Sequence, residues 1–186
     1  METAHELFIH ELGDMLDAER RLVEALSQQA EESNRDDVKK AFETHQQQTE
    51  KQVERLEEAF EILEQEPEKA ECAGMKGLVE EHDNFKEEDP SPDILDVFNV
   101  GAAQKVEKYE ITAYESLIEL AEDMGHTKVA KLLNQNLREE QQTLKKMEAL
   151  SKKVKPENSG MEEEEEDSDQ GRASSRSTRR RSRRAA

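Results

Sequence analysis

Five side chains in this sequence combine a metal-binding chemistry with an unusual position. Glu19, Glu107, Glu110, Glu140 and His45 all fall on apolar helical stripes rather than on polar faces. Glu19 shares its stripe with Phe8, Leu12, Met15, Leu22 and Leu26. Glu110 lies with Val106, Ala113, Leu117 and Ala121, and Glu107 stands one helical turn before it. Glu140 lies with Val129, Leu133, Asn136, Leu144 and Met147. His45 belongs to a run of Val38, Phe42, Thr49, Gln52, Leu56, Phe60 and Leu63. An unpaired buried carboxylate is costly and calls for a cation or a proton. Oxygen ligands joined by an imidazole suit iron or manganese.

The elements that position these residues are long helices. Thr3 and Glu6 form a capping box that starts a helix running from residue 4 to about residue 32. Ser33 and Asn34 break it, and Asn34 is the expected cap of a second helix that ends before Pro67. Residues 68–85, with Gly74 and Gly77, read as a short helix within a connection. Ser91-Pro92-Asp93 starts a third long helix, with Pro at its first position, and Gly125 stops it. Thr127 is the expected cap of a fourth, continuing to about Val154.

Short turns make the first and second long helices antiparallel neighbours, and likewise the third and fourth. The connection between the pairs is long enough to cross a bundle. The expected fold is therefore all-α, a four-helix bundle of ferritin-like topology. Each residue of a helix advances the chain by about 1.5 Å. On that count Glu19, residues 48–50, Glu110 and Glu140 stand at one height. Carboxylates converging inside a four-helix bundle are the ligand arrangement of a di-iron or di-manganese site.

Bland readings compete with this one. A one-residue error in helix phase would leave Glu19, Glu110 and Glu140 in solvent, and Asp and Glu total 46. A buried cluster without metal would share protons or pair with His45. His45 is either a ligand or a core histidine that orients one. Tyr109 and Tyr114 read as packing residues, and Met15 and Met147 as core filler. Glu50, Lys51, Glu54, Arg55 and Glu57 read as a solvated face with pairs four residues apart.

The net charge of −19 argues against nonspecific binding of the bundle to nucleic acid or anionic membrane. Cys72 is the single cysteine, so no disulfide can form within the chain. No signal-like start or membrane-length apolar run is present, which makes the cytoplasm the expected location. Residues 1–155 form the expected bundle. Residues 156–186 hold an acidic block, Glu162 to Asp169, and then seven arginines in thirteen residues from Arg172 to Arg184. That composition predicts a disordered tail. Its arginines either fold back on the chain's own acids or make a weak, salt-sensitive contact with nucleic acid.

Four segments resemble the YciE/YciF family of bacterial ferritin-like stress proteins. They are Asp14-Met-Leu-Asp-Ala-Glu19, the run from His45 through Thr49 and Gln52 to Arg55-Leu56, Ala103-Gln-Lys-Val-Glu107-Lys-Tyr-Glu110-Ile, and Leu137-Arg-Glu-Glu140. The resemblance spans residues 4–154. It implies a ferritin-like fold, a homodimer and a site for two iron or manganese ions, in a family whose biochemical activity is poorly defined. This chain also departs from the pattern. Gln47 and Gln48 stand where relatives commonly carry acids, Leu144 where helix four often offers an aspartate, Lys108 in place of His and Leu16 in place of Tyr. Two functions follow as expectations: a di-metal protein reacting with oxygen or peroxide, or a metal-poor interaction bundle whose basic tail recruits an anionic partner.

Overall fold

The computed structural model describes residues 2–67 and 70–156. The expected tail from residue 157 onward lies outside them. Five helices follow one another: α1 (Ala4–Glu32), α2 (Asp36–Leu63), α3 (Ala73–Glu87), α4 (Pro92–Asp123) and α5 (Thr127–Ser151). Thr3 forms the anticipated capping box with Glu6 at the start of α1. Pro92 occupies the first turn of α4. Gly125 closes that helix with a φ of 76°, a left-handed conformation that glycine adopts without steric penalty.

Two expected caps are corrected. Asn34 does not cap α2; Arg35 does, without a side-chain bond. The turn between α1 and α2 is instead held by Asp96 of α4, which accepts the backbone N–H groups of Asn34 (3.1 Å) and Arg35 (2.9 Å). A carboxylate from a distant helix thus holds the backbone of the turn itself, whereas a capping Asn34 would have met the N–H groups of Asp36 or Asp37. Thr127 is the first residue of α5, and His126 precedes it as the cap. The last helix also stops at Ser151 rather than near Val154, though Val154 is buried.

The four long helices pack in a ring: α1 against α2 and α4, and α5 against α2 and α4. Cross-helix bonds show that neighbours are antiparallel. Gln48 and Arg55 of α2 meet Thr143 and Glu139 of α5, so residue numbers rise along one helix as they fall along the other. The connection from α2 to α4 returns the chain to the opposite end of the bundle, which is the crossover topology. Its helix, α3, packs on both α1 and α4. The start of α3 is pinned at mid-bundle, where the Cys72 backbone N–H donates to Asp17 at 2.8 Å. Its far end is pinned by Lys86, which pairs with Glu32 at the end of α1. Gly74 allows close approach to α4, because a Cβ there would come within 2.8 Å of the Tyr109 ring.

Apolar side chains fill the two ends of the bundle. Phe8, Leu12, Leu56, Phe60, Leu117 and Leu133 occupy one end, and Leu22, Leu26, Val38, Phe42 and Val100 the other. Between them lies a layer of buried polar groups. Among the described residues, no helix is long and apolar enough to cross a membrane.

Candidate metal centre

All four helices of the ring contribute to the polar layer. Glu19 comes from α1, His45, Thr49 and Gln52 from α2, Glu107, Glu110 and Tyr114 from α4, and Asn136 and Glu140 from α5. Glu19, Glu107, Glu110 and Glu140 are each 0% exposed. The helical repeat explains this burial. Residues three and four apart share a face, so each acid lies on the same line as the leucines and alanines that seal the bundle. The buried line of α5 runs through Thr143 and not through Leu144, which is only half-buried. That is a correction of one residue in helix phase.

His45, Glu107, Glu110 and Glu140 each offer one ligand atom, and these atoms all lie within 4.8 Å of one another. The His45 Nε2 is 3.2 Å from a Glu107 oxygen and 3.9 Å from a Glu140 oxygen. Glu19 stands outside that foursome, although its charge is felt at both Glu107 and Glu110. Its Oε1 accepts a hydrogen bond from the Tyr114 hydroxyl, and its Oε2 has no protein partner. Glu140 Oε1 accepts from the Gln52 amide.

Within this layer six buried carboxylate oxygens lack hydrogen-bond donors: one each on Glu19 and Glu140, and both on Glu107 and Glu110. Both ring nitrogens of His45, the Thr49 hydroxyl and the Gln52 carbonyl oxygen are likewise without partners. Among the described residues, no lysine or arginine pairs with any of these four acids; Arg55 is engaged by Glu139. Burial is therefore the largest influence on each acid. It pushes Glu19, Glu107 and Glu110 well above the usual carboxylate range, and neighbouring acids add to the effect. Glu140 is raised to about 7, also chiefly by burial. His45 is pushed down to about 3, by burial first and Lys146 second. Such a cluster either holds protons against neutral pH or holds cations.

Two residues behave differently from their sequence reading. Tyr114 packs as expected, but its hydroxyl also joins Glu19 and Asn136. Arg55 is not on a solvated face; its side chain is 14% exposed and bonds across to Glu139 and Asn136. Helical spacing alone reveals neither contact, because both run between helices distant in sequence. Of the departures on α2, Gln47 is exposed, while Gln48 donates to the Thr143 hydroxyl at 3.0 Å.

A crossover four-helix bundle with glutamates from three helices and a histidine from the fourth at mid-height is a ferritin-like carboxylate bundle. A family profile described as "Domain of unknown function (DUF892)" matches residues 3–159. The chain belongs to this family. It is 37% identical over 147 residues to Protein YciF of Escherichia coli strain K12, covering 77% of this chain and 87% of that one. The crystal structure of the E. coli stress protein YciF superposes with a TM-score of 0.79 at 35% identity, covering 83% of this chain and 98% of that chain. YcfI from Rhodopseudomonas palustris gives a TM-score of 0.77 at 34% identity, covering 80% and 94%.

Proposed function

We propose that this protein is a stress-response protein holding a pair of iron or manganese ions that react with dioxygen or peroxide. One observation carries the reading: three glutamates meet a buried histidine, a fourth, Glu19, lies in the same layer, all four are 0% exposed, and among the described residues no lysine or arginine pairs with them. The charges give a preference for two ions. Glu19, Glu107, Glu110 and Glu140 together bear four negative charges when ionised, and two divalent cations cancel them. One divalent cation would leave two charges to be met by protons in a dry core.

Glu107, Glu110, Glu140 and His45 are the proposed ligands in the foursome, with Glu19 completing the set from α1. Bound iron or manganese would supply redox and Lewis-acid chemistry toward an oxygen species. The chain's own residues hold and orient. Gln52 fixes one oxygen of Glu140 and leaves the other free. The apolar ends of the bundle exclude bulk water. The stress role rests on the likeness to YciF, which is called a stress protein. A homodimer in the cytoplasm is the proposed assembly and place; light scattering at twice the 21.4 kDa chain mass tests the first.

Metal analysis decides the reading. After expression with iron or manganese, the protein should carry about two ions per chain. Less than about 0.1 ion per chain would remove the proposal.

A second reading has a specific observation in its favour. Helix α2 brings an imidazole, a hydroxyl and amides to the centre, but no acid. A metal-poor bundle would then serve as an interaction module, with the arginine-rich tail binding an anionic partner such as nucleic acid. Comparing nucleic-acid binding of the full chain with a version ending at Val154 tests it. Equal binding at low salt would eliminate the tail as the contact.

A further inference from the structure

Tyr114 is 0% exposed and lies between Glu19 and Asn136. Its hydroxyl donates to Glu19 Oε1 and accepts from the Asn136 amide at 2.9 Å. The Asn136 carbonyl oxygen accepts from Arg55 Nη1 at 2.6 Å, and Arg55 is held by Glu139 through two bonds of 2.7 and 2.9 Å. Chemistry fixes the direction of this chain. An arginine only donates, so the oxygen of Asn136 must face Arg55 and its NH₂ must face the tyrosine. A hydroxyl that receives that N–H directs its single proton the other way, to Glu19. The proton therefore sits against Oε1, and Oε2 is left without a donor.

We propose that Arg55, Asn136 and Tyr114 are positioning residues that orient Glu19 as a ligand, occupying one carboxylate oxygen and presenting the other to metal. The proposal rests on the metal reading above and adds the residues that prepare the α1 ligand. None of the three need touch the metal. They act as outer partners act elsewhere, by fixing the rotamer and hydrogen-bonding state of a ligand before the ion arrives. The α4 ligands have no such chain: both oxygens of Glu107 and of Glu110 are without donors.

The test is a manganese(II) titration of the full chain, followed by equilibrium dialysis and by near-ultraviolet circular dichroism. The chain has two tyrosines and no tryptophan, so that spectral region is dominated by Tyr109 and Tyr114. Metal binding to the unaltered protein should change the tyrosine signal. Tyr109→Phe should keep both the affinity and the change. Tyr114→Phe should abolish the change and weaken manganese binding by about 10- to 100-fold. Asn136→Asp is nearly the same shape and provides an independent variant. The new carboxylate cannot donate to the tyrosine, and it attracts the phenol proton away from Glu19, so affinity should fall in the same range. Unaltered affinity in whichever of these two variants folds would overturn the positioning chain while leaving the metal site intact. No binding by the unaltered protein would remove the metal reading, and this proposal with it.

Discussion

The two helical hairpins of this bundle face each other across the polar layer but bring different chemistry to it. The α4–α5 hairpin delivers three carboxylates, Glu107, Glu110 and Glu140. The α1–α2 hairpin delivers one, Glu19, with His45, Thr49 and Gln52. Gln48 is spent on a hydrogen bond to Thr143. The division suggests that charge for cations comes mainly from one hairpin, while the other contributes the imidazole and the donors that orient its neighbour's ligands. Gln52 of α2 serves Glu140 of α5, whereas Arg55 of α2 acts through Asn136 and Tyr114 on Glu19 of its own hairpin.

Removing acids from α4 should break this asymmetry most sharply. The double variant Glu107→Gln/Glu110→Gln should lose more than about 100-fold in manganese affinity, beyond the range seen when an outer partner is removed. Glu19→Gln, from the other hairpin, should cost less. Equilibrium dialysis of both variants gives the comparison directly, and equal losses would contradict the unequal division. The same double variant should unfold at higher temperature than the unaltered protein when both are metal-free, because neutral amides replace buried carboxyls.

The next effect is on the pH dependence of stability without metal. Glu19, Glu107 and Glu110 have raised folded pKa values, and Glu140 rises from 4.5 to about 7. Above pH 4.5 the unfolded chain releases these protons while the folded chain keeps them. The folded state then binds more protons than the unfolded one, so stability falls as pH rises toward 7 and beyond. Each such group contributes up to about 1.4 kcal/mol per pH unit. His45 opposes this: its folded pKa is about 3 against an ordinary 6.5, so stability is lost as pH falls through that interval. Four acids outweigh one histidine between pH 5 and 7. Thermal melts of metal-free protein should therefore show lower stability at pH 7.5 than at pH 5.5. With manganese added the trend should reverse, because ligands must be deprotonated to bind. A metal-free protein that gains stability across that range would contradict the protonated cluster.

Much of this site was legible in the sequence because burial and helical phase are coupled. Glu19, Glu110 and Glu140 are conspicuous since each replaces an apolar residue on an otherwise regular stripe. Thr3, Pro92 and Gly125 marked helix ends through local chemistry, and the structure keeps all three in those places. Legibility stops where a residue's partner is remote in sequence. Asp96 reaches 62 positions back to hold the turn that Asn34 was expected to cap. Tyr114 meets Glu19 at a separation of 95. Arg55 looked solvated because it stands in a charged run with Glu54, Glu57 and Glu58, but its actual partners lie on α5. Thr143 replaces Leu144 on the buried line because one residue turns a helix by about 100°, and an apolar side chain at the edge of a stripe cannot report which way it leans.

Gln52→Leu tests the assistance that one hairpin gives the other. It leaves Glu140 Oε1 without its donor and should destabilise metal-free protein at pH 7.5 by about 1–3 kcal/mol in urea unfolding. No change would mean that Glu140 does not depend on α2. The smallest effect is expected far from the polar layer. Thr3→Ala removes the capping box of α1 and should cost about 1 kcal/mol while leaving manganese affinity unchanged. A loss of affinity there would show that the α1 ligand is sensitive to the end of its helix, and that orientation is not set locally.

The most direct measurement is anomalous diffraction at the manganese edge from crystals of manganese-loaded protein. The account predicts two peaks in the polar layer, among Glu19, His45, Glu107, Glu110 and Glu140. Peaks confined to the exposed acids of the surface, with none among these five residues, would contradict it.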